Sequence, residues 1–297
     1  MEEITIKPKS PYNFKLSLNF LIRRGEGTFP EVRKDDSLLR AFRINNKIVP
    51  VKVFSVGTVE KPKLKISTAK LSAEERSELE RKLCTYLDLD GDLRELYSFM
   101  DKDERLRKIK DALYGFKAPA MGATIYEVVV KAIVQQQISL RIAFYMISKL
   151  VRKFGEFVEF EGEKYYDFPL PRALANASIP ELRSCGLSGR KAEYIINFSR
   201  EVIKGNFNPE EIRKWNHTKV VEELTKFRGI GRWTAELVAI AGVGKGASPA
   251  DDLGIRKAVS KYYFKDELQK PEKVREILSR WPKGLSVYLL YAYRLGI

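Results

Sequence analysis

Between Phe227 and Trp233 the chain reads Phe-Arg-Gly-Ile-Gly-Arg-Trp, and no other stretch constrains the fold as tightly. Thr218–Phe227 before it and Trp233–Ala241 after it carry the apolar spacing of amphipathic helices. Two glycines around one apolar residue permit a sharp turn, because glycine tolerates positive φ and close backbone approach. The pattern predicts a helical hairpin with Ile230 tucked between its arms. The amides that open the second helix would then point outward together, as an anion site suited to a phosphate.

After the second helix comes a glycine-containing loop, then Pro249-Ala250-Asp251-Asp252, then a helix opening at Leu253-Gly254-Ile255. A carboxylate here is carried back toward the hairpin and can reach a sugar held there. An Asp just before a helix also serves as its N-cap, and one of the two can do only that.

Charge points the same way. The net charge is +15, of which +4 falls in residues 1–100 and +11 in residues 101–297. A basic C-terminal part suits a polyanionic partner. The two cysteines, Cys84 and Cys185, exclude a four-thiolate zinc site and a four-cysteine iron–sulfur cluster. A single histidine, His217, argues against histidine-based metal sites and leaves carboxylates, Lys or Tyr to carry any chemistry. Met1-Glu2-Glu3 opens no apolar run, and no stretch reaches bilayer length, so a cytoplasmic protein without a membrane partner is expected.

The expected fold class is α+β: a small antiparallel-sheet domain over residues 1–95, then an all-α domain over 96–297. Val49, Val51 and Val53 alternate with polar or small neighbours, as do Leu64 and Ile66 and the set Phe14, Leu16, Leu18 and Phe20. All three read as half-buried strands. Ser72-Ala73-Glu74-Glu75 is a capping-box pattern opening a helix toward Leu87. Ile125–Phe154 reads as one long amphipathic stretch. Shorter helices follow to Leu295, apart from strand-like aromatics around Glu156–Pro171.

The hairpin, the loop and an Asp three residues before Ile255 together resemble the motif of the helix–hairpin–helix (HhH-GPD) DNA glycosylase superfamily. The resemblance covers nearly the whole chain and is strongest to the 3-methyladenine DNA glycosylase II type. It includes Tyr86–Asp90, the stretch Ala132–Ser139 with its three glutamines, and Trp281-Pro282 before a closing helix.

The resemblance implies a monofunctional enzyme that flips an alkylated or deaminated purine out of duplex DNA and hydrolyses its N-glycosidic bond. Asp252 rather than Asp251 would be the catalytic carboxylate. Trp233 stands where strand-cleaving members carry a lysine nucleophile, so no abasic-site lyase activity is expected. Trp233, Tyr293 and Leu237 would line the base pocket, with Leu237 in place of an aromatic. Gly229, Ile230, Gly231, Arg232 and Thr234 would contact DNA, and Gln137 would enter the base stack. The backbone carbonyls of Thr225, Phe227 and Ile230 would hold a sodium or potassium ion, with no other cofactor. One DNA-binding face suggests a monomer. The alternatives are an 8-oxoguanine-glycosylase-like enzyme and a non-catalytic hairpin module. Position 233 disfavours the first and Asp252 the second.

Overall fold

The computed structural model describes residues 2–22, 30–244, 246 and 248–297. Met1, and Lys245 and Ala247 of the glycine-containing loop, lie outside the described residues. The chain starts with strand β1 (Glu2–Ile6), helix α1 (Phe14–Leu21), strands β2 (Val32–Lys34), β3 (Ser37–Ile44), β4 (Lys47–Ser55) and β5 (Leu64–Thr68), and helix α2 (Ala73–Leu87). The five strands form one antiparallel sheet in the order β1-β5-β4-β3-β2. The alternating valines of β4 and apolar residues of β5 are buried in a core shared with Leu79 and Leu83 of α2. The capping box forms: Ser72 Oγ accepts from Glu75 N–H, and Glu75 returns to accept from Ser72 N–H.

Residues 14–20 depart from expectation, being helix rather than strand. Asn13 caps α1 by accepting from Leu16 N–H at 3.1 Å. The alternation has another cause, because α1 lies between two cores. Phe14 and Leu18 face the sheet, while Leu16 and Phe20 pack toward the C-terminal helices. A helix buried on two faces places apolar residues at positions that mimic a strand's period.

The remainder is helical: α3 (Arg94–Met100), α4 (Glu104–Ala112), α5 (Ile125–Gln135), α6 (Leu140–Phe154), α7 (Pro171–Ala175), α8 (Ile179–Ser184), α9 (Gly189–Ile203), a 3-10 turn at Pro209–Lys214, α10 (His217–Thr225), α11 (Arg232–Val243), α12 (Leu253–Tyr263), α13 (Pro271–Leu278) and α14 (Leu285–Leu295). The aromatics after α6 make a hairpin of β6 (Phe157–Phe160) and β7 (Glu163–Tyr166). The stretch 125–154 is broken in two at Gln136–Ser139. Gln137 adopts φ +54°, and Ser139 restarts the chain as N-cap of α6.

Two helical cores result. Every residue of α5 from Ile125 to Val134 is buried, and α6, α9, α10 and α11 pack into the core around it. The second core joins α3 and α4 to α14 through Leu96, Leu106, Ile109 and Leu289, with α12 and α13 alongside. A cleft of about 2090 Å³ is lined from both, and from the end of α2.

A buried ionic cluster ties the sheet to α5. Arg40 of β3 pairs with Glu31 and Glu127, Lys131 pairs with the same two carboxylates, and the Tyr86 hydroxyl donates to Glu31. Burial alone would raise the Glu127 carboxyl, but the Arg40 guanidinium and Lys131 ammonium outweigh it and hold it down at about 2.

Candidate active site

The hairpin forms where the sequence places it. Helix α10 ends at Thr225, the chain turns, and α11 begins at Arg232. Gly229 has φ +88°, and a Cβ there would lie 2.1 Å from the ring of Tyr194, which occupies that space from α9. Glycine is therefore required twice, by backbone conformation and by the packed ring. Ile230 is buried at 3% exposure, as a plug between the helices. Its N–H donates to Phe227 O at 3.0 Å, which closes the turn.

Gly231 differs from Gly229. Its φ is −87°, and a Cβ would meet nothing within 4 Å. It is the N-cap of α11, and no side chain caps the helix start, leaving the first amides of a twelve-residue helix available to an anion in the cleft. Arg232 is exposed and donates to Glu236 Oε1 at 2.7 Å. Thr234 is buried at the cleft wall, and its hydroxyl accepts from Gln136 Nε2 at 3.0 Å.

The two aspartates divide sharply. Asp251 is exposed and pairs with Arg275 of α13 at 2.7 Å. Asp252 is the N-cap of α12, with Oδ1 accepting from Ile255 N–H at 2.9 Å. Its Oδ2 accepts from the Trp233 indole N–H at 3.3 Å. Capping and the candidate catalytic role thus fall on the same residue. The cap engages one oxygen and the indole the other, on a residue that lines the cleft. The Trp233 contact spans the two helical cores, because α11 belongs to the first and α12 to the second.

Tyr293 and Leu237 line the same cleft, Tyr293 from α14 and Leu237 one turn beyond Trp233. Tyr293 is half-buried, and the Lys261 ammonium lies 6.0 Å from its ring centroid. Gln137 is exposed at the tip of the turn between α5 and α6, on the cleft wall. Arg190, Lys226, Arg228 and Lys283 add positive charge along the walls. Among the described residues, no group of three or more His, Cys, Asp or Glu side chains could hold a metal ion. Thr225, Phe227 and Ile230, whose carbonyls are the expected cation site, are among the residues lining this cleft, and Phe227 O already accepts the Ile230 N–H.

Phe144, Gln136 and Lys191 also belong to the cleft, though the sequence reading assigned none of them a role. Phe144 of α6 lines the wall. Gln136 and Lys191 lie at the seam between the turn and the hairpin, and burial pushes the Lys191 amine down from its usual range. The glutamine run signalled the first. Nothing local marks Lys191, whose partners are distant backbone carbonyls.

Residues 130–283 match the family model of the HhH-GPD superfamily base excision DNA repair protein. A DNA-3-methyladenine glycosylase of Bacillus subtilis (strain 168) is 28% identical over 223 residues, 74% of this chain and 73% of its own. Among solved structures, a 3-methyladenine DNA-glycosylase from Archaeoglobus fulgidus superposes with TM-score 0.88 at 38% identity, over 98% of both chains. An 8-oxoguanine glycosylase/lyase of Clostridium acetobutylicum bound to double-stranded DNA superposes with TM-score 0.76 over 99% of both chains, but at 20% identity it is a likeness of fold alone.

Proposed function

From the premise that the chain belongs to the HhH-GPD superfamily of base excision DNA repair proteins, we propose that it is a monofunctional DNA glycosylase that excises alkylated purines. The observation that carries the reading is the place of Asp252. One oxygen is fixed by the helix it caps, the other is held by Trp233, and the residue lines the cleft beside an uncapped helix start. The likeness to the Archaeoglobus glycosylase over 98% of the chain supports the substrate class.

In this reading the α11 amides hold a phosphate of duplex DNA, and the damaged nucleotide turns out of the stack into the cleft. Trp233 and Tyr293 stack on the extruded base. A purine alkylated at N3 or N7 is cationic, which favours an aromatic face by roughly 0.5–2 kcal/mol per ring. It is also a good leaving group, so departure needs little acid catalysis. The Asp252 carboxylate stabilises the oxocarbenium-like sugar or takes a proton from the attacking water. The Trp233 indole cannot form a Schiff base, so the strand stays intact after base release.

Neutral backbone oxygens at 225, 227 and 230 are the donor type that suits sodium or potassium. An ion held there supplies positive charge next to the bound phosphate. Residues 1–95 act as a supporting domain and 96–297 as the catalytic one, in a monomer working on chromosomal DNA in the cytoplasm. Among the described residues no helix is long and apolar enough to cross a membrane. The test is base release from methylated duplex DNA by wild type and by Asp252→Asn. Free methylpurine with uncut strands from wild type alone supports the reading. Release of no base from alkylated or deaminated duplexes overturns it.

A further inference from the structure

The turn that carries Gln137 is held at a conformational cost. It interrupts two helices, its tip residue is exposed, and that residue sits at φ +54°, a left-handed conformation that non-glycine residues adopt at a cost. It is fixed from both sides. The Gln136 carboxamide donates to Gly229 O at 2.8 Å and to Thr234 Oγ1 at 3.0 Å, spanning the hairpin turn and the first turn of α11. From α9, the Lys191 ammonium donates to Val134 O at 2.8 Å and to Gln136 O at 2.6 Å. Both acceptors lie at the C-terminal end of α5, where carbonyls lack intrahelical partners and a cation is favoured. The same helix α9 sets Tyr194 against Gly229 and pairs Glu193 with Arg228. Turn, hairpin and α9 therefore form a closed triangle of contacts.

We propose that Gln136 and Lys191 are positioning residues that lock the Gln137 turn to the hairpin, so that the residue entering the DNA stack and the amides gripping the phosphate keep a fixed separation. The proposal rests on the glycosylase reading above. Extruding a base from an intact stack costs a few kcal/mol, and an element that stabilises the opened stack does so only if it cannot recoil. Neither residue touches the reacting sugar. Their effect belongs to the opening of the duplex and not to bond cleavage.

The experiment compares Gln136→Met, Lys191→Met and Lys191→Arg with wild type. Single-turnover release of 7-methylguanine is measured from a fully paired duplex and from the same strand with the lesion inside an unpaired bubble. In the bubble the base is already unstacked. The two methionine variants are expected to lose about 10-fold or more on the duplex and to stay within about 3-fold of wild type in the bubble. Lys191→Arg, which can still donate to both carbonyls, recovers most of the duplex rate. Equal losses on both substrates would show a general structural role and overturn the proposal, as would an unchanged duplex rate. Wild type inert on both substrates, and on duplexes carrying the other alkylated or deaminated purines, would overturn the glycosylase reading itself, and this proposal with it.

Discussion

The Trp233 indole N–H reaches Oδ2 of Asp252 at 3.3 Å, joining the second residue of α11 to the residue that caps α12. A base-stacking candidate and a catalytic candidate therefore orient one another. Trp233→Phe keeps a six-membered aromatic face and removes the donor with its five-membered ring. It is expected to lower the single-turnover rate by about 3- to 10-fold, one hydrogen bond's worth. Trp233→Ala removes the stacking surface as well and is expected to lose about 100-fold. Borohydride added during turnover should trap no covalent protein–DNA adduct. A trapped adduct would mean that an amine, not the carboxylate, attacks the sugar.

The double use of Asp252 separates stability from activity. Asn caps a helix about as well as Asp. Asp252→Asn should therefore keep its urea midpoint while base release falls by roughly 1000-fold. Asp252→Ala should lose the activity and also about 1 kcal/mol of stability with the cap. Asp251→Asn should change neither by much, since an exposed pair such as Asp251–Arg275 contributes about 0–1 kcal/mol. If the Asp251 variant is the inactive one, the assignment is reversed.

The two hairpin glycines should fail differently. Gly229→Ala forces a side chain into φ +88° and into the Tyr194 ring, and is expected to cost about 2–4 kcal/mol in chemical denaturation. Gly231→Ala meets no protein atom and has an ordinary φ, so it should cost no more than about 1 kcal/mol, the difference between glycine and alanine at an N-cap. Its added methyl projects where backbone must approach phosphate, and affinity for duplex DNA should fall by about 10-fold or more. Equal melting temperatures for the two variants would contradict this division.

The buried cluster at Arg40 makes the seam between the sheet and α5 sensitive to acid. Glu127 is held at about 2 when folded, below the ordinary carboxyl value of 4.5 that it takes when unfolded. Its stabilisation is fully present above pH 4.5 and is lost as pH falls toward 2. Urea midpoints measured between pH 6 and pH 3 should decline, and Glu127→Gln should flatten part of that slope. Arg40→Met leaves two carboxylates buried with only Lys131 between them and is expected to cost about 3–5 kcal/mol.

The sequence by itself determined the parts whose causes are local. Glycine spacing around Ile230 set the hairpin, Ser72 and Glu75 set the start of α2, and the β4 and β5 alternation set the sheet, while the resemblance to the HhH-GPD motif made Asp252 the catalytic candidate. Tertiary structure decided whatever depends on a second surface. Residues 14–20 became helix because they are buried on two faces by distant elements, a condition no local periodicity records. Which aspartate caps α12 and which meets Arg275, the inward turn of Thr234, and the bracing by Gln136 and Lys191 all follow from hydrogen bonds between groups far apart in the chain. Hydrogen bonding is directional and short-ranged. Its partners become known only when the fold has brought them within about 3 Å of each other.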